Sequence, residues 1–394
     1  MHRRTPGQAM SSGIAALTAL VLASPSAFAA WDLNLPVGVT PISRIVYDLH
    51  MLILWICVAI GIVVFGVMFI SIMRHRKAVG AQAARFHHST FAEIAWTVIP
   101  IVILVTMAVP ATTTLIKMED TTDADLTVKV TAYQWMWKYE YIEDGVTVYS
   151  TLAPSSRQAI YEDPTKVENY LLEVDNPIVF PVDRKVRLLL TADDVIHAWW
   201  VPELGQKKDA IPGFINEMWT LIKEPGVYRG QCAELCGKDH GFMPIVVRAA
   251  SEDEYRAWVA ERKMAQAEQA ALAMHSWEKT ELMALGEKVY ATACATCHQL
   301  DGDGIAGAFP SIRGSEVATG GLQDHLKPVM DGRAGTQLVM DGRAGTAMRA
   351  FGAQLSDVEL AAVVTYQRNA FGNATGDVVQ PAMISAARNL NTGG

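Results

Sequence analysis

Two long apolar stretches, residues 49–73 and 94–115, constrain this chain more than any other feature. Each is long enough to cross ~30 Å of hydrocarbon as a helix. Pro100 and Pro110 in the second are tolerated inside a membrane helix, where neighbouring groups re-satisfy the freed backbone. A pair of buried core helices would not need such length without charge. The loop between the stretches carries Arg74, Arg76, Lys77 and Arg85, and positive loops stay in the cytoplasm. The sequence therefore predicts a two-helix transmembrane hairpin with everything after residue 115 on the periplasmic side. Arg3 and Arg4, a short apolar run at 14–23 and Ala27-Phe28-Ala29 read as an export signal over residues 1–29. Residues 30–118 then hold the N-terminal segment and the hairpin.

The rest of the 394 residues changes character. Over 119–250, short runs rich in Val, Leu and aromatics alternate with Pro, Gly and Asp. Examples are 126–132, 170–174, 186–191 and 244–248, which read as strands of a sandwich or barrel. An Ala- and Glu-rich stretch, 251–281, reads as a helical linker. A compact segment follows over 282–374, then a tail over 375–394. The formal net charge is −8, which excludes a general nucleic-acid binder because a phosphate-backbone reader needs a basic face. It suits docking of a basic partner protein.

Four of the five cysteines form two close pairs, each with a histidine nearby. Cys57 lies in an apolar run and reads as a buried packing residue. The segment QCAELCGKDHGFMP puts Cys232, Cys236, His240 and Met243 on one loop. Thiolates, imidazole and thioether are soft or borderline ligands that suit copper. Two cysteines so close together can bridge a pair of coppers, with His240 on one and His197 on the other. Met243 and the Glu234 carbonyl are candidate weak axial ligands. Zinc on two cysteines and two histidines is an alternative, and a 232–236 disulfide is another, since export permits it.

Cys294-Ala295-Thr296-Cys297-His298 is the attachment signature of c-type haem. The cysteines form thioethers to the porphyrin, and His298 becomes the proximal ligand. Met348 is the candidate distal ligand, with Met330 and Met340 as alternatives. Residues 355–369 read as a C-terminal helix beginning near Ser356. One tandem repeat stands out: 329–338 (VMDGRAGTQL) and 339–348 (VMDGRAGTAM). It is too short for a solenoid and reads as a duplication absorbed in a surface loop.

The copper loop, the aromatic run YQWMWKYEY (133–141), LLEVDNPIVFPV (171–182) and HAWWVPELGQKKDAIPG (197–213) together resemble cytochrome c oxidase subunit II, of the haem–copper oxidase family. The haem segment resembles a class I cytochrome c, and Pro310 resembles the proline that packs on the proximal histidine. The resemblance implies a multi-domain membrane protein: hairpin, cupredoxin-like β-barrel, then an all-α class I cytochrome c domain. It implies that Cys232 and Cys236 bridge two coppers, that His197 and His240 are terminal ligands and that Met243 is axial. Glu234 would give its carbonyl to copper and its carboxylate to magnesium at the border with subunit I. Trp135 would be the electron-accepting tryptophan, and Glu93 would stand at the mouth of a proton pathway. The implied activity is that of the electron-input subunit of a proton-pumping cytochrome c oxidase in a bacterial inner membrane. Electrons would come from cytochrome c or another periplasmic donor, pass through the fused c-type haem to the copper pair by the region of Trp135, and go on to the haem of subunit I; subunits I and III would be its partners. Rival readings are a nitric or nitrous oxide reductase using the same copper centre, and a copper carrier, which has no use for covalent haem.

Overall fold

A computed structural model describes residues 34–82, 87–332, 339–340, 343–344, 348, 350–352 and 354–391. The export signal, Arg85 and most of the tandem repeat lie outside the described residues. The described chain separates into two units: the hairpin with Pro202–Gly205, and Ile116–Val201 with Gln206 onward.

In the hairpin, helix α1 spans Pro41–His75 and α2 spans Thr90–Glu119. Both run longer than the apolar stretches, because capping extends them past the hydrocarbon-matched core. Thr40 caps α1 in a reciprocal box with Ser43 and also donates to the Leu204 carbonyl at 3.1 Å. This loop seats on the helix start only because residue 205 is glycine. Its φ is +82°, and a Cβ there would lie 2.5 Å from Ser43 Cα. Along both helices large apolar side chains face outward, Ile62 at 69% and Phe65 at 70% exposure among them, and Cys57, expected to be buried, is exposed on the same helix as these two. That is the pattern of a lipid-facing surface. Thr97, Thr106, Thr113 and Thr114 turn their hydroxyls back to carbonyls four residues earlier, which satisfies them without water.

The second unit begins with two five-stranded sheets. One has the order β3-β2-β1-β5-β8 and the other β4-β10-β9-β6-β7. The strands are β1 Leu126–Tyr133, β2 Met136–Tyr141, β3 Val146–Ser150, β4 Ile178–Pro181, β5 Val186–Ala192, β6 His197–Trp200, β7 Lys207–Ala210, β8 Asn216–Thr220, β9 Gly226–Cys232 and β10 Pro244–Ala250. Alternation decides what faces inward: Leu126, Val128, Val130 and Ala132 of β1 are buried, as are Val186, Leu188 and Leu190 beside them in parallel β5. Trp137, Tyr139 and Trp199 are wholly buried between the sheets. An aromatic of that kind removes about 150–250 Å² from water, roughly 4–6 kcal/mol before entropy. The 170–174 stretch expected as a strand is a turn, touching Leu152 only through an isolated bridge at Val174. Asn169 and Leu171 take φ of +52° and +62°, which breaks a pleat, and the strand forms further on, at β4.

Helix α3, Glu252–Met274, starts from a Ser251/Glu254 capping box. It is anchored to the barrel: Tyr255 and Trp258 are buried, and Trp258 packs on Tyr141 with ring centroids 5.1 Å apart. Beyond it α4 Lys279–Val289, α5 Leu322–Asp331, α6 Asp357–Asn369 and α7 Pro381–Asn391 surround one apolar core. Gly286 lets α4 touch α6, since a Cβ there would lie 2.1 Å from the Ala362 carbonyl oxygen. Ser356 and Glu359 cap α6 reciprocally. The stretch expected as a tail contains α7, which belongs to this core. Ile384 and Ala387 are buried, and Arg388 bonds Asp357 at 2.6 Å. The short apolar period in 381–391 was too weak to read without its partner surface.

Candidate metal and haem centres

Strand pairing builds the first site. β6 and β9 run antiparallel with Trp199 opposite Cys232, which brings His197, at the start of β6, and Cys232 to one end of the barrel. The β9–β10 connection then carries Glu234, Cys236, His240 and Met243 back over that end. Cys232 Sγ and Cys236 Sγ stand 3.8 Å apart as free thiols. This is far beyond the ~2.05 Å of a disulfide, so the disulfide alternative is not the arrangement present. His197 Nδ1 lies 3.9 Å from Cys232 Sγ, and His240 Nδ1 lies 3.5 Å from Cys236 Sγ. Met243 Sδ is 3.6 Å from Cys236 Sγ, and the Glu234 carbonyl oxygen is 3.3 Å from Cys232 Sγ. His197, Cys232 and Cys236 are all buried, with ligand atoms within 4.8 Å of one another. Each sulfur thus has its own imidazole nitrogen and its own weak donor. Six donors arranged as two halves around a shared sulfur pair exceed what one tetrahedral zinc takes and suit soft metal ions.

The surroundings prepare these ligands. The hydrogen bond between the two sulfurs holds the Cys232 thiol well below its ordinary range. The same contact, with burial, pushes Cys236 up. The pair gives up one proton easily, and metal binding displaces the second. Burial acts to lower the His197 pKa, but its bonds to Asp194 and Cys232 outweigh burial and raise it. Asp194 Oδ1 sits 2.9 Å from His197 Nε2, so that nitrogen carries the proton and Nδ1 keeps its lone pair for a metal. Asp194 also accepts from the Gln134 backbone N–H at 2.6 Å. Burial alone would raise its pKa; the hydrogen bonds it accepts bring it down. Neighbouring Asp193 is raised, first by burial, then by Asp194, with Asp331 of α5 adding to it.

Two indoles reach the ligand loop. Trp135 Nε1 donates to the Cys236 carbonyl at 3.2 Å, beside Gln134 Nε2 at 2.7 Å. Trp137 Nε1 donates to the Met243 carbonyl, also at 3.2 Å. Asp194, Gln134 and Trp137 were not identified as functional from sequence. Only the acidic pair just before His197 hinted at one of them. The Glu234 side chain is exposed, and Ile196 and Leu235, beside ligands in the chain, are 45% and 78% exposed. Glu93 lies in the first turn of α2, in the other unit.

The second site lies in the helical bundle. Cys294 is buried and Cys297 half-buried, both as thiols, on a π turn and short helix that follow α4. His298 Nδ1 donates to the Pro310 carbonyl at 2.9 Å, leaving Nε2 for a haem iron. Burial pulls the His298 pKa down, with the Pro310 bond opposing, so the ring stays neutral and ligating. Met348 is half-buried against the core. Met330 is buried inside α5, and the side chain of Met340 lies outside the described residues. The donor set fits covalent haem: two thiols, one oriented imidazole and a thioether.

His325 of α5 is 4% exposed. Its Nε2 lies 2.9 Å from Gln367 Oε1, whose amide nitrogen reaches Cys294 Sγ at 3.7 Å. Burial lowers the His325 pKa to about 4; the Gln367 bond opposes this and the Arg368 charge adds to it. A base with a lowered folded pKa costs stability in acid, because the unfolded chain takes the proton first. Its contribution is complete above the unfolded value near 6.5 and declines as pH falls toward about 4, by on the order of 3 kcal/mol. Replacing His325 with Gln is expected to flatten that acid arm, measured as the thermal midpoint of Soret-band loss across this range. An unchanged slope would assign the acid sensitivity to other groups.

Soft donors held rigidly on a barrel, and a haem-attachment site on a bundle, define a membrane-anchored electron-transfer protein. Residues 126–250 match the periplasmic domain of cytochrome c oxidase subunit II, 29–113 match its transmembrane domain, and 283–370 match cytochrome c. The chain is 40% identical over 250 residues to a probable cytochrome c oxidase subunit 2 of Rickettsia bellii, covering 62% of this chain and 91% of that one. It is 40% identical over 230 residues to the mitochondrial cytochrome c oxidase subunit 2 of Vigna unguiculata, covering 58% and 61%. The solved periplasmic domain of cytochrome oxidase subunit II from Bradyrhizobium japonicum is 41% identical, covering 36% of this chain and 97% of that one at a TM-score of 0.33. The chain belongs to the cytochrome c oxidase subunit II family and carries a fused cytochrome c domain. It is a membrane protein and a subunit of an oxidase complex, and its domains imply copper and haem c.

Proposed function

We propose that this chain is the electron-input subunit of a proton-pumping oxidase in a bacterial inner membrane, with the barrel and bundle in the periplasm. Cys232 and Cys236 bridge two copper ions. His197 Nδ1 and the Glu234 carbonyl complete one side, and His240 Nδ1 and Met243 Sδ the other. Cys294 and Cys297 link haem c, His298 Nε2 takes the proximal position and Met348 Sδ the distal one. When bound, these groups supply one-electron transfer between a cytochrome c donor and the catalytic subunit I, where oxygen is reduced to water. The chain's part is to hold them still. Asp194 fixes the His197 tautomer, and Gln134, Trp135 and Trp137 pin the carbonyls of ligand residues, so the geometry changes little with charge.

Trp135, half-buried beside the ligand loop, accepts electrons. The free Glu234 carboxylate binds magnesium at the border with subunit I, and exposed Leu235 and Ile196 are covered by that subunit. Glu93 lies at the mouth of a proton pathway, near the basic cytoplasmic turn with Arg74, Arg76 and Lys77. Subunit III completes the assembly. The observation that carries this reading is the 3.8 Å sulfur pair with one imidazole nitrogen on each flank. Metal analysis of the purified, exported chain tests it. About two coppers per haem iron are expected. Zinc, or about one copper per iron, would overturn the two-copper centre.

A further inference from the structure

A cleft of about 250 Å³ separates the barrel from the haem-attachment bundle. Its bundle wall includes Thr292 and Ala293, which directly precede Cys294, and Phe351 and Leu355, which follow Met348. Those two segments bracket the place where haem attaches. Its barrel wall includes Met136 and Tyr149. Met136 is 1% exposed, and its chain neighbour Trp137 is fully buried. The Trp137 indole bonds the Met243 carbonyl at 3.2 Å, and its ring meets the His197 ring edge-on at 6.1 Å between centroids. Helix α3 holds the two domains in this relation, because it packs on the barrel through Tyr255 and Trp258 and also touches α6 and α7.

The two indoles therefore have equivalent links to the ligand loop and different surroundings. Trp135 is half-buried and bonds the carbonyl of Cys236. Trp137 is sealed in the core and bonds the carbonyl of Met243. We infer that the fused cytochrome domain is docked by its haem-attachment edge on β2–β3, and that Met136–Trp137 is the internal electron path to the copper ligands. Trp135 is then left to serve donors arriving from outside. The inference rests on the two-copper, one-haem reading above. The step moves one electron: the haem iron is oxidised from ferrous to ferric, the copper pair is reduced by one, and no bond forms or breaks. Tunnelling falls steeply across each unfilled gap. A buried, polarisable thioether followed by covalent backbone, an indole and one hydrogen bond to a ligand residue's own carbonyl leaves few such gaps.

The test uses the intact oxidase complex, with metal content measured first. Trp137→Phe keeps an aromatic ring and removes the N–H; Met136→Ala opens the cleft wall. After flash-triggered reduction of the haem, both are expected to slow growth of the reduced-copper signal about tenfold, the equivalent of about 1.4 kcal/mol in the barrier. Trp135→Phe is expected to slow oxidation of an external donor more than it slows this internal rate. A second readout does not depend on electron flow. Ala293→Glu puts a charge in the cleft and is expected to speed hydrogen exchange of the amides of β3, the edge strand. Full copper and haem content with unchanged rates in both the Trp137 and Met136 variants would overturn the path and leave the metal assignment standing. Slowing by Trp135→Phe alone, or unchanged β3 exchange in Ala293→Glu, would overturn it too. A shortfall of copper in the unmodified chain would instead fail the two-copper reading itself.

Discussion

Replacing Cys236 with serine abolishes the bridged copper pair and cuts turnover of the assembled oxidase with reduced cytochrome c by about two orders of magnitude or more. Cys236 joins one half of the site to the other: its sulfur is 3.8 Å from Cys232 Sγ, 3.5 Å from His240 Nδ1 and 3.6 Å from Met243 Sδ. Serine keeps the shape and substitutes a hard, protonated oxygen for a soft thiolate, which copper binds poorly. Losing an outer partner of a metal ligand already costs about 10–100-fold in affinity, so loss of a bridging ligand costs more. The fold is expected to survive, since the residue lies in the β9–β10 connection and not in a strand. Paramagnetic resonance checks the outcome: the spectrum of one electron shared by two coppers should vanish, while haem absorbance and thermal unfolding stay near the parent's. A variant that keeps both coppers and their shared electron would refute the bridging role.

Replacing Met348 with alanine lowers the haem midpoint potential by on the order of 0.1 V, a fraction of the ~0.8 V that axial ligation spans. Thioether ligation favours ferrous iron, so its loss makes the haem a stronger reductant and opens the sixth position to water. His298, held by Pro310, keeps the proximal side intact. Redox titration of the Soret and α bands reads the shift directly. An unaltered potential and spectrum would mean that another side chain holds the distal position. Of the two alternatives by sequence, Met330 is buried within α5, so its taking that position would require the helix to open.

The sequence made the site legible where ligands are close in the chain. Cys232, Cys236, His240 and Met243 share one loop, and Cys294, Cys297 and His298 share one turn, so spacing alone constrains their chemistry. The membrane helices were legible for a similar reason: length without charge is a local property. The hydrogen-bond partners were not legible. Asp194 fixes His197, and Trp135 and Trp137 pin carbonyls about a hundred residues away through the packing of one sheet on the other. No periodicity in one strand records what lies across from it. The 170–174 turn was misread because positive φ at Asn169 and Leu171 does not show in composition. Helix α7 was missed because its few apolar positions mean little until α6 is beside them.

The sequence by itself determined which atoms can bind metal and haem, and that two helices cross the membrane, because donor chemistry and hydropathy belong to the residues. Only the tertiary structure decided which imidazole nitrogen faces which sulfur, which tryptophan is sealed and which half-open, and which edge of the bundle faces the barrel. Those depend on strand register and helix packing, where neighbours come from distant parts of the chain and burial sets the strength of every hydrogen bond between them.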